Sequence, residues 1–295
     1  MTVPQSQRFS QRQTMRRNDF EAFFYSDDYI REVAMHHHDF YEIYLFLSGR
    51  VQYTVESRHY DLMPGDILLI SPQELHQPVF SREEQAPYSR IVIWIDGDWI
   101  RRIGSLYACD PTCCFDVADP AHTNLLRLSG AERKPVFDLA LSIIGREETD
   151  DAFSELLAAV QLLELLVRLN RLRARERARG GREPALSGTL ETVVSYINAN
   201  LTERLTLDRL AEHHYISKYH LSHLFQRAMG TSVFRYITQK RLILARQLLL
   251  TDMPLRQIYT RCGFATYSSF YRAFRGVYGI SPRDYRRSVS EPRQT

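Results

Sequence analysis

The sequence predicts a mixed, two-domain chain: an N-terminal β-barrel with appended helices, then an all-α half built from two helix-turn-helix units. Three observations predict it. Short segments between Phe20 and Ile95 alternate with period two, are rich in Tyr, Ile, Val and Phe, and are separated by Gly/Pro turns. From Ser187 to Arg287 the pattern is helical, and one motif occurs twice, about 49 residues apart. The charge also changes sign along the chain. The 38 Lys+Arg and 35 Asp+Glu sum to only +3, but residues 1–170 carry 16 basic and 26 acidic side chains, net −10. Residues 171–183 carry six Arg and two Glu, net +4, and residues 184–295 carry 16 basic and 7 acidic, net +9. An acidic half joined to a basic half points to a nucleic-acid or membrane-surface module attached to something else.

Composition narrows the classes. At ~100–200 residues per domain, 295 residues suggest two domains, and 44% hydrophobic residues can build both cores. No run of ~18 apolar residues exists, so no membrane partner is expected; the richest stretch, Leu156 to Leu169, is broken by Gln161, Glu164 and Arg168. Residues 1–19 are polar and lack an apolar h-region, so they read as a disordered arm rather than a secretory signal, and a cytoplasmic protein is expected. Four Cys fit a reducing compartment. Cys109, Cys113 and Cys114 lack the paired spacing of a zinc site and read as ordinary thiols.

The strands follow in order. Tyr41 to Leu47 is one, Ser48-Gly49 a turn, and Val51 to Glu56 the next. Pro64-Gly65 makes a turn before Ile67 to Ile70, and Tyr88 to Ile95 closes the series. His36, His38 and Glu42 share parity, so one strand would point all three to one face, with His76 supplied by a later strand. His37 has the opposite parity and is expected to face out. Tyr88, Arg90 and Trp94 also share a parity, and an aromatic face with a guanidinium suits a sugar or carboxylate. The run His36-x-His38-x3-Glu42-x6-Gly49, then Pro64-Gly65-Asp66 and Pro72-x3-His76, resembles the two signature motifs of the cupin superfamily, whose enzymes hold a metal on these positions. The second motif is one residue off that pattern and lacks its usual Gly. The expectation is therefore an effector site formed by His36, His38, Glu42, His76, Arg90 and Trp94, with no cofactor; His36, His38, Glu42 and His76 are the set that a metal would use.

Lys134 to Gly145 and Ala152 to Ala178 read as helices. In the second, Leu156, Ala159, Leu163, Leu166 and Asn170 are spaced 3, 4, 3, 4, an a/d seam able to dimerise the chain, although Leu157, Val160 and Val167 widen the apolar face. The first domain thus runs over 20–178. The Arg-rich segment ends in Gly180-Gly181 and Pro184, and 179–186 reads as a linker.

In the C-terminal half, each copy of the motif is a short helix, a tight turn and a longer amphipathic helix: Leu207 to Ser217 then Lys218 to Gly230, and Leu255 to Phe264 then Tyr267 to Gly279. Ser217 and Thr266 are N-caps, and Gly263 supplies the second turn. Leu221, Leu224 and Phe225 anchor the first long helix, leaving Lys218, Tyr219, Ser222, His223 and Gln226 outward. Phe270 and Phe274 anchor the second, leaving Tyr267, Ser268, Tyr271, Arg272 and Arg275 outward. Val233 to Leu250 is a long connecting helix, and Pro254 opens the next. Leu210-Ala211, Ser217-x3-Leu221-Ser222-x2-Phe225, Gly230, Arg241-x3-Ala245, Leu248-Leu249, Ile258, Cys262-Gly263-Phe264, Phe270-x3-Phe274, Gly279-x-Ser281-Pro282 and Tyr285-Arg286 together resemble the DNA-binding domain of AraC/XylS-type transcription regulators, here over 187–290.

Two positions depart from that pattern. Tyr215 stands where Gly is common, and His223 where Arg is common. Imidazole lacks a bidentate fork, so the first helix is expected to be the weaker reader and Arg272 the guanine contact. The resemblance implies a non-enzyme that binds double-stranded DNA, placing each long helix in a major groove ~34 Å from the other. It implies a small effector in the barrel, a homodimer through helix 152–178, and activation through RNA polymerase. A metal-dependent cupin enzyme fused to a DNA-binding domain, and a redox or alkyl-transfer device on the Cys cluster, are the alternatives from other classes.

Overall fold

The computed structural model describes residues 14–28, 33–80, 87–117, 119, 122–144, 151–178 and 188–290. Most of the expected arm and all of the expected linker, 179–186, lie outside them. The chain divides into two units, Met1–Ala185 and Leu186–Thr295.

The first unit contains β1 (Phe20–Asp27), β2 (Tyr41–Ser48), β3 (Gln52–Val55), β4 (Arg58–Asp61), β5 (Asp66–Ile70), β6 (His76–Val79), β7 (Tyr88–Ile95) and β8 (Leu125–Arg127). They form two antiparallel sheets, ordered β1-β7-β2-β5-β8 and β4-β3-β6. The expected strands lie within one residue of β2, β3, β5 and β7. The Pro64-Gly65 turn is also as expected: Asp66 N–H donates to the Met63 carbonyl at 2.9 Å, and Gly65 has φ +98°. That pairing of Pro and a positive-φ Gly is a type II turn.

Alternation sorts the five-stranded sheet into two buried faces. Tyr44, Phe46, Tyr88, Val92 and Trp94 face the smaller sheet, which contributes Tyr53, Val55 and Tyr60 to the same aromatic-rich layer. Ile43, Leu45, Ile91, Ile93 and Ile95 face the other way, onto helices α1 (Gly97–Leu106), α2 (Gly130–Ile143) and α3 (Ala152–Ala178). A strand buried on both faces reads as a nearly continuous apolar run, as Ile91 to Ile95 does.

The helices bring corrections. α1, absent from the elements read from sequence, is amphipathic and buries Ile100; Asp96 starts it by accepting from Trp99 N–H at 2.7 Å. α2 begins at Gly130 rather than Lys134, because Glu132 reaches back to the Ser129 N–H at 3.3 Å in a capping box. Pro135 then sits inside the helix, not in its first turn. The expected seam of α3 is split. Leu166 is fully buried in its own unit with Leu162, Leu165 and Leu169, and Asn170 Nδ2 donates to the Pro111 carbonyl at 2.7 Å. Phe153, Leu156, Leu157, Val160 and Val167 are the large apolar residues that the helix leaves exposed. Among the described residues, no helix is long and apolar enough to cross a membrane.

The second unit is helical: α4 (Thr189–Ala199), α5 (Leu207–His213), α6 (Lys218–Met229), α7 (Val233–Leu249), α8 (Leu255–Arg261), α9 (Tyr267–Tyr278) and α10 (Pro282–Ser290). Its two turns are built alike. Ile216 N–H donates to the Ala211 carbonyl and Phe264 N–H to the Tyr259 carbonyl, both at 3.0 Å. The residue before each donor, Tyr215 or Gly263, has positive φ, as this helix stop requires. An arginine on a later helix then ties down the loop that enters each unit. Arg241 donates to the Leu201 and Glu203 carbonyls, and Arg286 to those of Leu249 and Met253.

Candidate effector site and nucleic-acid interface

The barrel histidines converge by a different route from the expected one. β2 begins only at Tyr41, so His36 and His38 lie on the segment that approaches it. There His36 exchanges backbone hydrogen bonds with His76, at 3.1 and 2.9 Å. Strand alternation therefore fails on this segment, and His37, expected to face out, is 6% exposed. His38, Glu42 and His76 form one buried cluster, with one nitrogen or oxygen from each all within 4.8 Å of one another. His36 is half-buried beside it, its ring centroid 4.3 Å from that of His76, and lies outside the cluster.

Each cluster histidine is held by its Nδ1. His38 Nδ1 bonds the Phe40 carbonyl at 2.9 Å and His76 Nδ1 the Glu74 carbonyl at 2.8 Å. A carbonyl only accepts, so Nδ1 carries the proton and Nε2 keeps its lone pair while the ring is neutral. Both Nε2 atoms are buried and without a hydrogen-bond partner among the described residues, although His38 Nε2 lies 3.2 Å from Glu42 Oε2. Trp94, the cross-strand neighbour of Glu42, donates its Nε1–H to the same oxygen at 2.8 Å. Burial, then the nearby His36 and His38, push His76 well below the ordinary imidazole value. Burial works to raise Glu42, but His38, His36 and the Trp94 N–H outweigh it and hold the carboxyl below its usual range.

Arg90, expected in the same site, is held elsewhere. Its Nη1 donates to Asp27 at 2.6 Å, and its guanidinium lies 4.3 Å from the Tyr88 ring centroid and 4.8 Å from that of Tyr25. Tyr44 and Tyr88 share a hydroxyl–hydroxyl bond next to it. Tyr53 stacks at 6.3 Å on His76 and at 5.0 Å meets Tyr44, and so links the two polar groups. Sequence reasoning missed Tyr44 and Tyr53, although Tyr44 shares the parity of Glu42 on β2. The residues fit a metal chemically: two imidazole lone pairs and a carboxylate suit a borderline transition metal. The thiols offer no comparable site. Burial raises Cys113, and it pushes Cys114 up to about 12. Neither is an activated thiolate.

In the second unit, Ser217 accepts from His220 N–H at 3.1 Å and Thr266 from Ser269 N–H at 3.2 Å, fixing the starts of α6 and α9. Leu221 and Phe225 are fully buried, as are Phe270 and Phe274. This rolls Lys218, Tyr219, Ser222, His223 and Gln226 to the surface of α6, and Tyr267, Ser268, Arg272 and Arg275 to that of α9; Tyr271 is half-buried. Lys218 pairs with Asp208 at 2.7 Å, the Arg272 Nε–H lies 3.4 Å from the Ser268 carbonyl, and Arg275 reaches the Tyr271 hydroxyl at 3.4 Å.

These two halves match known proteins. Residues 21–166 match the AraC-like ligand binding domain, and residues 210–288 match a helix-turn-helix domain. The transcriptional activator AarP of Providencia stuartii is 33% identical over 103 residues, 35% of this chain and 76% of AarP. The chain belongs to the AraC family of transcription regulators. It joins the family's ligand-binding domain to its helix-turn-helix domain. The arabinose operon regulatory protein of Escherichia coli K12 is 27% identical over 257 residues, 85% of this chain and 82% of that protein. The regulator GbdR of Pseudomonas aeruginosa is 34% identical over 155 residues, 50% of this chain and 40% of GbdR, so the chain spans less than half of that relative.

Proposed function

We propose that the chain activates transcription by sequence-specific binding to double-stranded DNA, under control of a small effector held in the barrel. The observation that carries this reading is the pair of equivalent turns, each followed by a capped helix with a buried apolar face and an exposed polar one. On this reading α6 and α9 enter successive major grooves, and the net +9 of residues 184–295 adds sequence-independent affinity by releasing counterions. Arg272 supplies the bidentate base contact, and His223 a single hydrogen bond.

The domains then run 20–178 for effector binding and dimerisation, 179–186 for the linker, and 187–290 for DNA. His36, His38, Glu42, His76 and Trp94 form one polar group of the lining, and Tyr53 links it to the separate group that Arg90 makes with Tyr44 and Tyr88. Stacked rings and several hydroxyls favour a sugar or a small acid as effector. The effector would reset how two DNA-binding domains of a homodimer are placed, and RNA polymerase is the further partner, in the cytoplasm. A melting-temperature screen of the full chain against sugars and small carboxylic acids tests the effector reading. A true effector at 100 times its Kd stabilises the fold by about 2.7 kcal/mol and changes operator affinity. A panel in which no compound does either would count against it.

A further inference from the structure

We propose that the first unit carries a second ligand site outside the barrel interior, in a groove beside α3. Its ligand class is a small organic anion: a ring-bearing apolar body whose acidic head has a hydrogen-bond donor next to it. The proposal goes beyond the effector reading and stands or falls separately from it.

The groove runs between the end of α1, the loop that follows and the C-terminal half of α3. Its volume is about 630 Å³, within the ~300–1,000 Å³ of small-molecule sites. The walls are mostly apolar, with Ile103 and Tyr107 on one side and Leu163, Val167 and Ala174 on the other. Tyr107 is 74% exposed and Val167 48%, so both sides offer apolar surface to solvent. Bonds within the unit hold these walls. Asn170 Nδ2 ties α3 to the loop through the Pro111 carbonyl at 2.7 Å. Arg173 donates to the Leu125 and Thr123 carbonyls, both at 2.9 Å. Gly104 lets the loop fold back on α1, since a Cβ there would stand 2.6 Å from the Cys109 carbonyl oxygen and 2.7 Å from Pro111 Cδ. A groove fixed in advance spares its ligand the cost of ordering it.

Charge selects the occupant. Three arginines and one aspartate line the groove. Asp110 already accepts from the Thr112 N–H at 2.8 Å and from its hydroxyl at 2.6 Å. Arg177 pairs with Asp119 at 2.6 Å, and Arg173 with Glu176 at 2.7 Å. Arg171 is exposed and pairs with no carboxylate among the described residues. Its guanidinium is the one left for an anionic head. Next to it in the chain, Asn170 Oδ1 is buried and has no hydrogen-bond partner among the described residues. A buried acceptor calls for a donor. Apolar walls, a guanidinium and an orphaned amide oxygen thus favour a ring-bearing acid over a neutral sugar or a cation.

Anilinonaphthalene sulfonate has the required features: fused rings, a sulfonate and an adjacent anilino N–H. Fluorescence titration of the full chain should show one saturable site per chain. Arg171→Gln should weaken this probe about 3–10-fold, and leave uncharged phenylnaphthylamine, which lacks the sulfonate, within about 2-fold. Ala174→Trp fills the groove from an exposed position and should weaken both probes by more than about 10-fold. Far-UV circular dichroism and DNA binding report whether each variant is folded. Bound sulfonate probe should also slow alkylation of Cys113, an exposed thiol of the same groove, as read by mass spectrometry. If Ala174→Trp does not fold, this protection and Arg171→Gln decide. Absence of a saturable site overturns the proposal. So does a site that survives Ala174→Trp, leaves Cys113 alkylation unchanged, or loses both probes equally in Arg171→Gln. Loss of self-association in Ala174→Trp with probe binding intact would give the groove to a second copy of the chain, and overturns it as well.

Discussion

Tyr215 and Gly263 occupy the same place in the two turns, with φ of 55° and 76°, yet their surroundings differ. A Cβ on Gly263 would stand 2.6 Å from the Leu201 carbonyl oxygen and 2.8 Å from the Arg241 guanidinium. Tyr215 projects into solvent, 96% exposed. The second turn therefore requires Gly for space as well as conformation, while the first tolerates a side chain at the cost of a left-handed backbone. Tyr215→Gly should stabilise the protein by about 1 kcal/mol. Gly263→Ala should destabilise it by more than about 1–2 kcal/mol, because Arg241 must also give way. Urea denaturation of both variants measures this, and equal effects would show that the two turns are not under different constraints. Tyr215 also shows how far the sequence was legible. The motif placed it where Gly is common and left its φ open, and nothing in the sequence told that Gly263 lies under Arg241, a contact between residues 22 apart.

Elements were legible where one periodicity governed them. β2 and β7 are β-branched and aromatic runs bounded by turn residues, and α6 and α9 follow their anchors, so these elements could be assigned. Prediction failed where local hydrogen bonds or tertiary packing decided. The segment before β2 is not a ladder strand, so parity misplaced His37 and His36. The Ser129–Glu132 box started α2 earlier than its apolar pattern did. In α3 the apolar surface exceeds what one partner can cover, and the sequence could not say which stripe the barrel would take. The stripe left outside, through Phe153, Leu157, Val160 and Val167, is spaced 4, 3 and 7. This is the face on which the proposed homodimer would form. Val160→Glu should weaken self-association at least about 10-fold without loss of helix, because a charge would be buried at the seam. Asn170→Ala should leave self-association intact but cost about 1 kcal/mol of stability, since it breaks the bond to Pro111. Sedimentation equilibrium separates the two; monomerisation by Asn170→Ala alone would favour the seam read from sequence.

At the scale of the whole molecule, the +3 net charge conceals a division of labour. The acidic half packs an aromatic-rich layer between its two sheets, and the basic half displays two capped helices outward. α7, 17 residues long, spans about 25 Å between the two helix-turn-helix units. One rigid rod would then set the spacing of both readers, whatever the effector does. Missing-contact footprinting of the full chain on a site selected from random DNA tests this most directly. Two major-groove segments about 10 base pairs apart should be contacted, and Arg272→Ala should cost about 1–3 kcal/mol and relax selection at one position within the segment read by α9. A single contacted segment, or an Arg272→Ala loss that is the same on every sequence, would contradict the account.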